Sequence, residues 1–116
     1  MAHMIIDKQT AGHYTWGDGC DSWILADAEG LSIKQEHMPP GTKEKLHYHA
    51  FAQQFFFILQ GTATFYLDTK QAIVTAQQGL LIKPNTQHYI ANETQEALEF
   101  LVISQPPTDK DRINIE

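Results

Sequence analysis

The sequence predicts an all-β protein, an antiparallel sandwich or small barrel. Three observations lead there. Apolar residues come in short runs rich in β-branched and aromatic side chains, and Gly, Pro, Asn or Asp closes each run within a few positions, the punctuation of strands and tight turns. No stretch sustains an apolar repeat at helical spacing without meeting Gly or Pro. The strands also follow one another without the intervening helices that a parallel sheet requires.

Taken in order, the expected strands are residues 23–27, 31–38, 45–49, 53–59, 62–68, 72–76, 80–83, 88–92 and 97–104. Gly30 separates the first two and Pro39 ends the second; Gly61, Asp68 and Gly79 divide the middle of the chain; Pro84, Asn92 and Pro106 close the last three. Ahead of these strands, Trp16-Gly17-Asp18-Gly19 leads into Cys20, a turn-like stretch with no CxxC partner, so Cys20 is given a structural role. The proline-rich polar tail, residues 106–112, is expected to run over the surface or toward a partner subunit.

A chain of 116 residues buries one modest core, so residues 4–116 are read as a single domain. Met1-Ala2-His3 looks like a cloning remnant ahead of Met4 and lacks the basic and apolar regions of a signal peptide. No apolar run approaches the roughly 20 residues of a membrane span. A formal net charge of −6 and a single arginine, Arg112, argue against a nucleic-acid partner and disfavour phosphorylated substrates, because both need clustered cationic groups. One cysteine, Cys20, forms no internal disulfide, which fits a cytoplasmic setting.

The residues that carry chemistry are histidines. His47 and His49 flank Tyr48, and because strand side chains alternate, both imidazoles share one face and reach a common point. A buried histidine is often merely hydrogen-bonded, so the frame matters more than the pair. It runs Gly41, five residues, His47, one residue, His49, four residues, Gln54, six residues, Gly61. This resembles the first conserved motif of the cupin superfamily, with Gln54 standing where the family has glutamate. A second stretch resembles the second cupin motif: Gly79, Pro84-Asn85-Thr86, His88 and, after three residues, Asn92, one residue shorter on each side of the proline than the common pattern. Together the motifs, Gly41 to Gly61 and Gly79 to Asn92, frame 17 residues that suit a hairpin. Gln54 to Gly61 and Phe100 to Pro107 extend the likeness to small single-domain bacterial cupins.

The resemblance implies a double-stranded β-helix, or jelly-roll, barrel with one divalent transition metal (Fe, Mn, Ni, Zn or Cu) bound by His47, His49, Gln54 and His88. His47, His49 and Gln54 are expected on adjacent strands, with His88 across the mouth. A register slip of one would substitute Gln53 for Gln54. Trp23, Phe56 and Ile58 are candidates to line the substrate pocket, Phe56 and Ile58 because they alternate onto the face of Gln54. Phe55 and Phe57 then face outward, and the resemblance agrees with a homodimer that buries part of that face. Asn92 is expected to serve a turn or strand end, and His37 a surface or core role.

A neutral ligand set leaves the ion's double charge to attract anions and acidify bound water. The leading functional expectation is a metal-dependent enzyme, a dioxygenase or an isomerase, on a small oxygen-bearing organic molecule. The alternative is a non-catalytic small-molecule-binding module. A phosphosugar or nucleotide-sugar isomerase would need Arg112 and at least two lysines pointing into the pocket.

Overall fold

The structure, a computed structural model, describes residues 4–115; the remnant read at residues 1–3 lies outside them. Among the described residues, eleven antiparallel strands form two sheets: β1 (Gly12–Trp16), β2 (Cys20–Ala28), β3 (Leu31–Met38), β4 (His47–His49), β5 (Gln53–Gln60), β6 (Thr62–Leu67), β7 (Lys70–Thr75), β8 (Gly79–Ile82), β9 (His88–Ala91), β10 (Leu98–Gln105) and β11 (Arg112–Asn114). The described residues contain no helix. The six-stranded sheet runs β1-β2-β3-β10-β5-β8 and the five-stranded sheet β11-β4-β9-β6-β7, the jelly-roll architecture.

Alternation decides what each strand buries. On β5, Gln54, Phe56 and Ile58 turn inward, whereas Phe55 is 37% exposed and Phe57 and Leu59 are half-buried. Buried Phe56, Ile58, Phe65, Phe100, Ile90 and Leu98 fill the space between the sheets, with the Phe56 ring edge-on to Phe65 at 5.0 Å and tilted to Phe100 at 5.8 Å. Interdigitated rings of this kind supply most of the burial that holds two sheets together.

Two motif glycines have visible steric causes. Gly61, at φ +87°, turns β5 into β6, and a Cβ there would lie 2.5 Å from the Ala97 carbonyl oxygen. At Gly79 a Cβ would meet the Phe55 ring at 2.3 Å, so the glycine makes room for the aromatic on the neighbouring strand.

Several boundaries differ from the sequence reading. β2 begins at Cys20, which is fully buried in the core rather than in a turn. β1 and β11 were not expected: every residue of β1 but Trp16 is exposed, and β11 has only three residues, so neither carries the buried alternation that marks a strand. The tail does not simply cross the surface, since β11 pairs with β4, Arg112 opposite His49 and Asn114 opposite His47.

Candidate metal centre

The site begins on β4. Tyr48 turns away while His47 and His49 face the interior, 1% and 3% exposed. His88 opens β9 as the direct register partner of His47. Imidazole centroids lie 4.3 Å apart for His47 and His88, 5.0 Å for His47 and His49, and 5.8 Å for His49 and His88.

Each ring is oriented through Nδ1. The His47 Nδ1–H donates to the Lys45 carbonyl at 2.7 Å and the His88 Nδ1–H to the Thr86 carbonyl at 2.7 Å. His49 Nδ1–H donates to Asp111 Oδ1 at 3.0 Å, and the other oxygen of Asp111 accepts the backbone N–H groups of Phe51 and Ala52. These bonds leave the Nε2 lone pairs as the available donors. Burial holds the imidazoles neutral: His47 is pushed down to about 3 and His88 to about 4. Burial also lowers His49, against the opposing pull of Asp111. Asp111 is itself raised by burial, but the Ala52, Phe51 and His49 hydrogen bonds outweigh this and hold it below the usual carboxylate range.

A divalent ion fits these residues. One ring nitrogen from each of His47, His49 and His88 lies within 4.8 Å of the others, close enough for small side-chain shifts to bring them to the distance of about 2.1 Å at which imidazole nitrogens bind a common ion. The Nε2 atoms of His49 and His88 are buried without a hydrogen-bond partner, a cost that a ligated ion would remove. Gln54 adds a fourth candidate: its Nε2 donates to Ser104 Oγ at 3.1 Å, leaving a buried, unpaired Oε1. The register excludes Gln53, whose amide bonds Gln105 outside. One spatial expectation is corrected: His88 neighbours His47 in the same sheet, and it is Gln54, on β5 of the other sheet, that approaches from across the barrel.

Beside the histidines opens a cavity of about 570 Å³, lined in part by His47, His49, Gln54 and Phe56. Trp23 and Ile58, expected there, lie elsewhere. Trp23 is on the outer face, under the Lys8 ammonium at 4.3 Å and beside the His13 ring, because Ser22 takes the inward position on β2. Ile58 is wholly buried in the core. Cys20, its thiol pushed up by burial, lies in the core, with the structural role expected of it though not the turn position. Asn92 is buried and clamps a turn, donating to the Met38 and Glu96 carbonyls. His37 faces outward, 3.7 Å from Asp21.

Sequence reading missed most of the cavity wall. Lys34 and Glu36 line it from β3, Tyr14 and Trp16 from β1, and Glu44 and Arg112 from the β4 side. Counting back by two from buried Met38 places Glu36 and Lys34 on its face, a signal legible once that strand's inward side is fixed. Ser22 donates a hydrogen bond to Glu36. Burial raises the Glu36 carboxyl against the opposing effects of Ser22 and Lys34. Burial also raises Glu44, to about 8, despite Arg112 at 3.7 Å.

A two-sheet jelly roll whose interior gathers three neutral imidazoles defines a cupin, and residues 34–104 match the sequence profile of the cupin domain family; the chain belongs to that family. The uncharacterized protein MJ1618 of Methanocaldococcus jannaschii is 32% identical over 76 residues, 66% of this chain and 61% of that protein. The polyketide synthase CurC of Streptomyces cyaneus is 28% identical over 81 residues, 70% of this chain and 50% of that one. The matches thus span between half and three fifths of those relatives. Among solved structures, the polyketide cyclase RemF of Streptomyces resistomycificus superposes with a TM-score of 0.86 at 13% identity, covering 99% of this chain and 87% of that one, a likeness of fold.

Proposed function

We propose that this cupin is a metal-dependent enzyme of the isomerase kind, moving a proton on a small molecule with two oxygen donors. The observation that carries the reading is the convergence of three neutral histidines, two with unpartnered Nε2 atoms, beside a cavity that also holds two carboxyl groups raised by burial. His47, His49 and His88 would hold the ion, with the Gln54 amide oxygen as fourth donor; the bound ion would polarise a substrate oxygen and acidify the adjacent C–H. Glu44, raised to about 8, keeps a proton at its carboxyl oxygens near neutral pH, the state required of a group that gives or exchanges a proton there, and burial shifts Glu36 in the same direction. These carboxyls favour proton transfer over oxygenation. CurC and RemF are both described in terms of polyketide chemistry, which supports substrates with enolisable carbonyl groups. We also place the protein in the cytoplasm, as a homodimer. Its lone cysteine lacks a partner for an internal bridge, and no helix among the described residues is long and apolar enough to cross a membrane.

The test is metal uptake followed by hydrogen exchange. Elemental analysis is expected to give close to one transition metal per chain after loading. NMR in deuterated water is then expected to show metal-dependent exchange at the acidic C–H positions of pyruvate, acetoacetate or 2-oxoglutarate. A chain that takes up none of Fe, Mn, Ni, Cu or Zn and gains no thermal stability from them would overturn the reading.

A further inference from the structure

The cavity concentrates the chain's few cations, beside three acidic residues, Asp18, Glu36 and Glu44. The protein carries a net charge of −6 with eight Lys and Arg residues, yet four of these, Lys34, Lys43, Lys45 and Arg112, line this one cavity. Lys43 turns its ammonium toward the Tyr89 ring at 5.6 Å, which leaves Lys34, Lys45 and Arg112 as the groups to consider. Lys34 and Arg112 come from different sheets, and Lys45 lies in the segment ahead of β4. Lys34 is on β3, opposite Val102, and its ammonium donates to the Tyr14 hydroxyl at 2.9 Å. Arg112 is on β11, with Nε donating to Asn114 Oδ1 at 2.9 Å. Lys34 and Arg112 thus line one cavity from opposite sheets, Arg112 with Glu44 Oε2 at 3.7 Å.

A second, independent feature points to a ligand. Trp16 lines the cavity, and its indole N–H is buried without an acceptor. An unpaired buried donor costs stability that an incoming oxygen would recover. A volume of about 570 Å³ exceeds what the ion and a two-carbon chelate fill and falls within the range of small-molecule sites.

Resting on the metal reading above, we infer that the cavity is built for an organic acid: Lys34, Lys45, Arg112 and the Trp16 indole N–H receive its carboxylate or phosphate group while its other oxygens face the histidine cluster. This reverses the expectation, drawn from the scarcity of arginine, that phosphorylated substrates are disfavoured. The fold gathers at one cavity cations that composition alone counts as few.

The test compares three hydroxamates, each with the same metal-chelating head, on the zinc-loaded or manganese-loaded protein by calorimetry. Acetohydroxamate has no acidic arm, succinate monohydroxamate carries a carboxylate and phosphonoacetohydroxamate a phosphonate. At least one acidic probe is expected to bind tenfold or more tightly than acetohydroxamate, with the advantage shrinking as salt is raised. The tighter of the two acids identifies the group preferred. Lys34→Met and Lys45→Met are each expected to remove at least threefold of that advantage while leaving acetohydroxamate affinity unchanged, and Lys34→Arg to restore it. Equal affinities for all three probes would overturn the inference and leave the metal reading intact. An advantage untouched by both lysine variants would assign it to the ion's own charge and also overturn the inference. If no hydroxamate binds the loaded protein, the metal reading falls and this one with it.

Discussion

At the residue scale, the tail's Asp111 has the most leverage on the site for its size. Its carboxylate orients His49 through one oxygen and ties down the loop ahead of β5 through the other, so it fixes both the tautomer and the position of a candidate metal ligand. Asp111→Asn keeps the shape but loses the charge and one acceptor; metal affinity is expected to fall about 10–100-fold, measured by competition with a chromophoric chelator. Unchanged affinity would show that the backbone alone positions His49. The depressed histidines make a second prediction, for the metal-free protein. A base whose folded pKa lies below its unfolded value of about 6.5 leaves stability complete above that value and takes it away as pH falls toward the folded pKa, because the unfolded chain binds the proton first. For His88, lowered to about 4, the loss between pH 7 and pH 5 is about 2 kcal/mol. Glu36 and Glu44, raised by burial, act in the opposite sense, since a carboxyl whose folded pKa is raised gains stability as pH falls. The histidine part is therefore isolated by difference: in urea unfolding, His88→Gln is expected to lose about 2 kcal/mol less than the parent over that interval, and parallel losses would refute the assignment.

At the element scale, legibility followed burial. β5 and β10 were readable because their alternation is strong: β10 reads buried and half-buried by turns from Leu98 to Ser104, and a one-residue slip would have turned that whole set outward. The same periodicity placed His47 and His49 together, whereas Gln54 was preferred to Gln53 through the motif frame, with a one-residue slip left open. β1 was invisible because its exposed residues, Gly12 to Thr15, carry no apolar pattern, although Tyr14 and Trp16 reach the cavity. β11 was hidden by its three-residue length and by the prolines before it, and with it went Asp111, whose partner His49 is 62 residues away in sequence. Long-range polar pairs of that kind leave no local periodicity. The spatial relation of His88 to Gln54 was misjudged for a related reason: motif order along the chain does not say which sheet a strand joins, and β4 pairs with β9 while β5 pairs with β10.

At the scale of the whole molecule, the outer face of the six-stranded sheet gives physical content to the proposed homodimer. Register aligns Ile33, Ile103, Phe55 and Leu81 in one row across four strands, and the adjacent row sets Leu101 beside Phe57. Phe55 is 37% and Leu81 52% exposed, and the Phe55 and Phe57 rings stack at 6.5 Å. An apolar band this continuous is unusual on a monomer surface. A twofold pairing would bury the same residues on both copies at once, as self-complementary interfaces do. β8 lies at the edge of this sheet, so a charge at Leu81 enters the band without disturbing the core or the cavity. Sedimentation equilibrium is expected to give a dimer at micromolar concentration for the parent chain, and Leu81→Glu to weaken association at least tenfold while leaving metal uptake unchanged. A parent chain that stays monomeric to 100 micromolar would remove the dimer. Dissociation of Leu81→Glu accompanied by loss of metal would instead show that the interface and the histidine cluster depend on each other through β5, the strand that carries Phe55 on one face and Gln54 on the other.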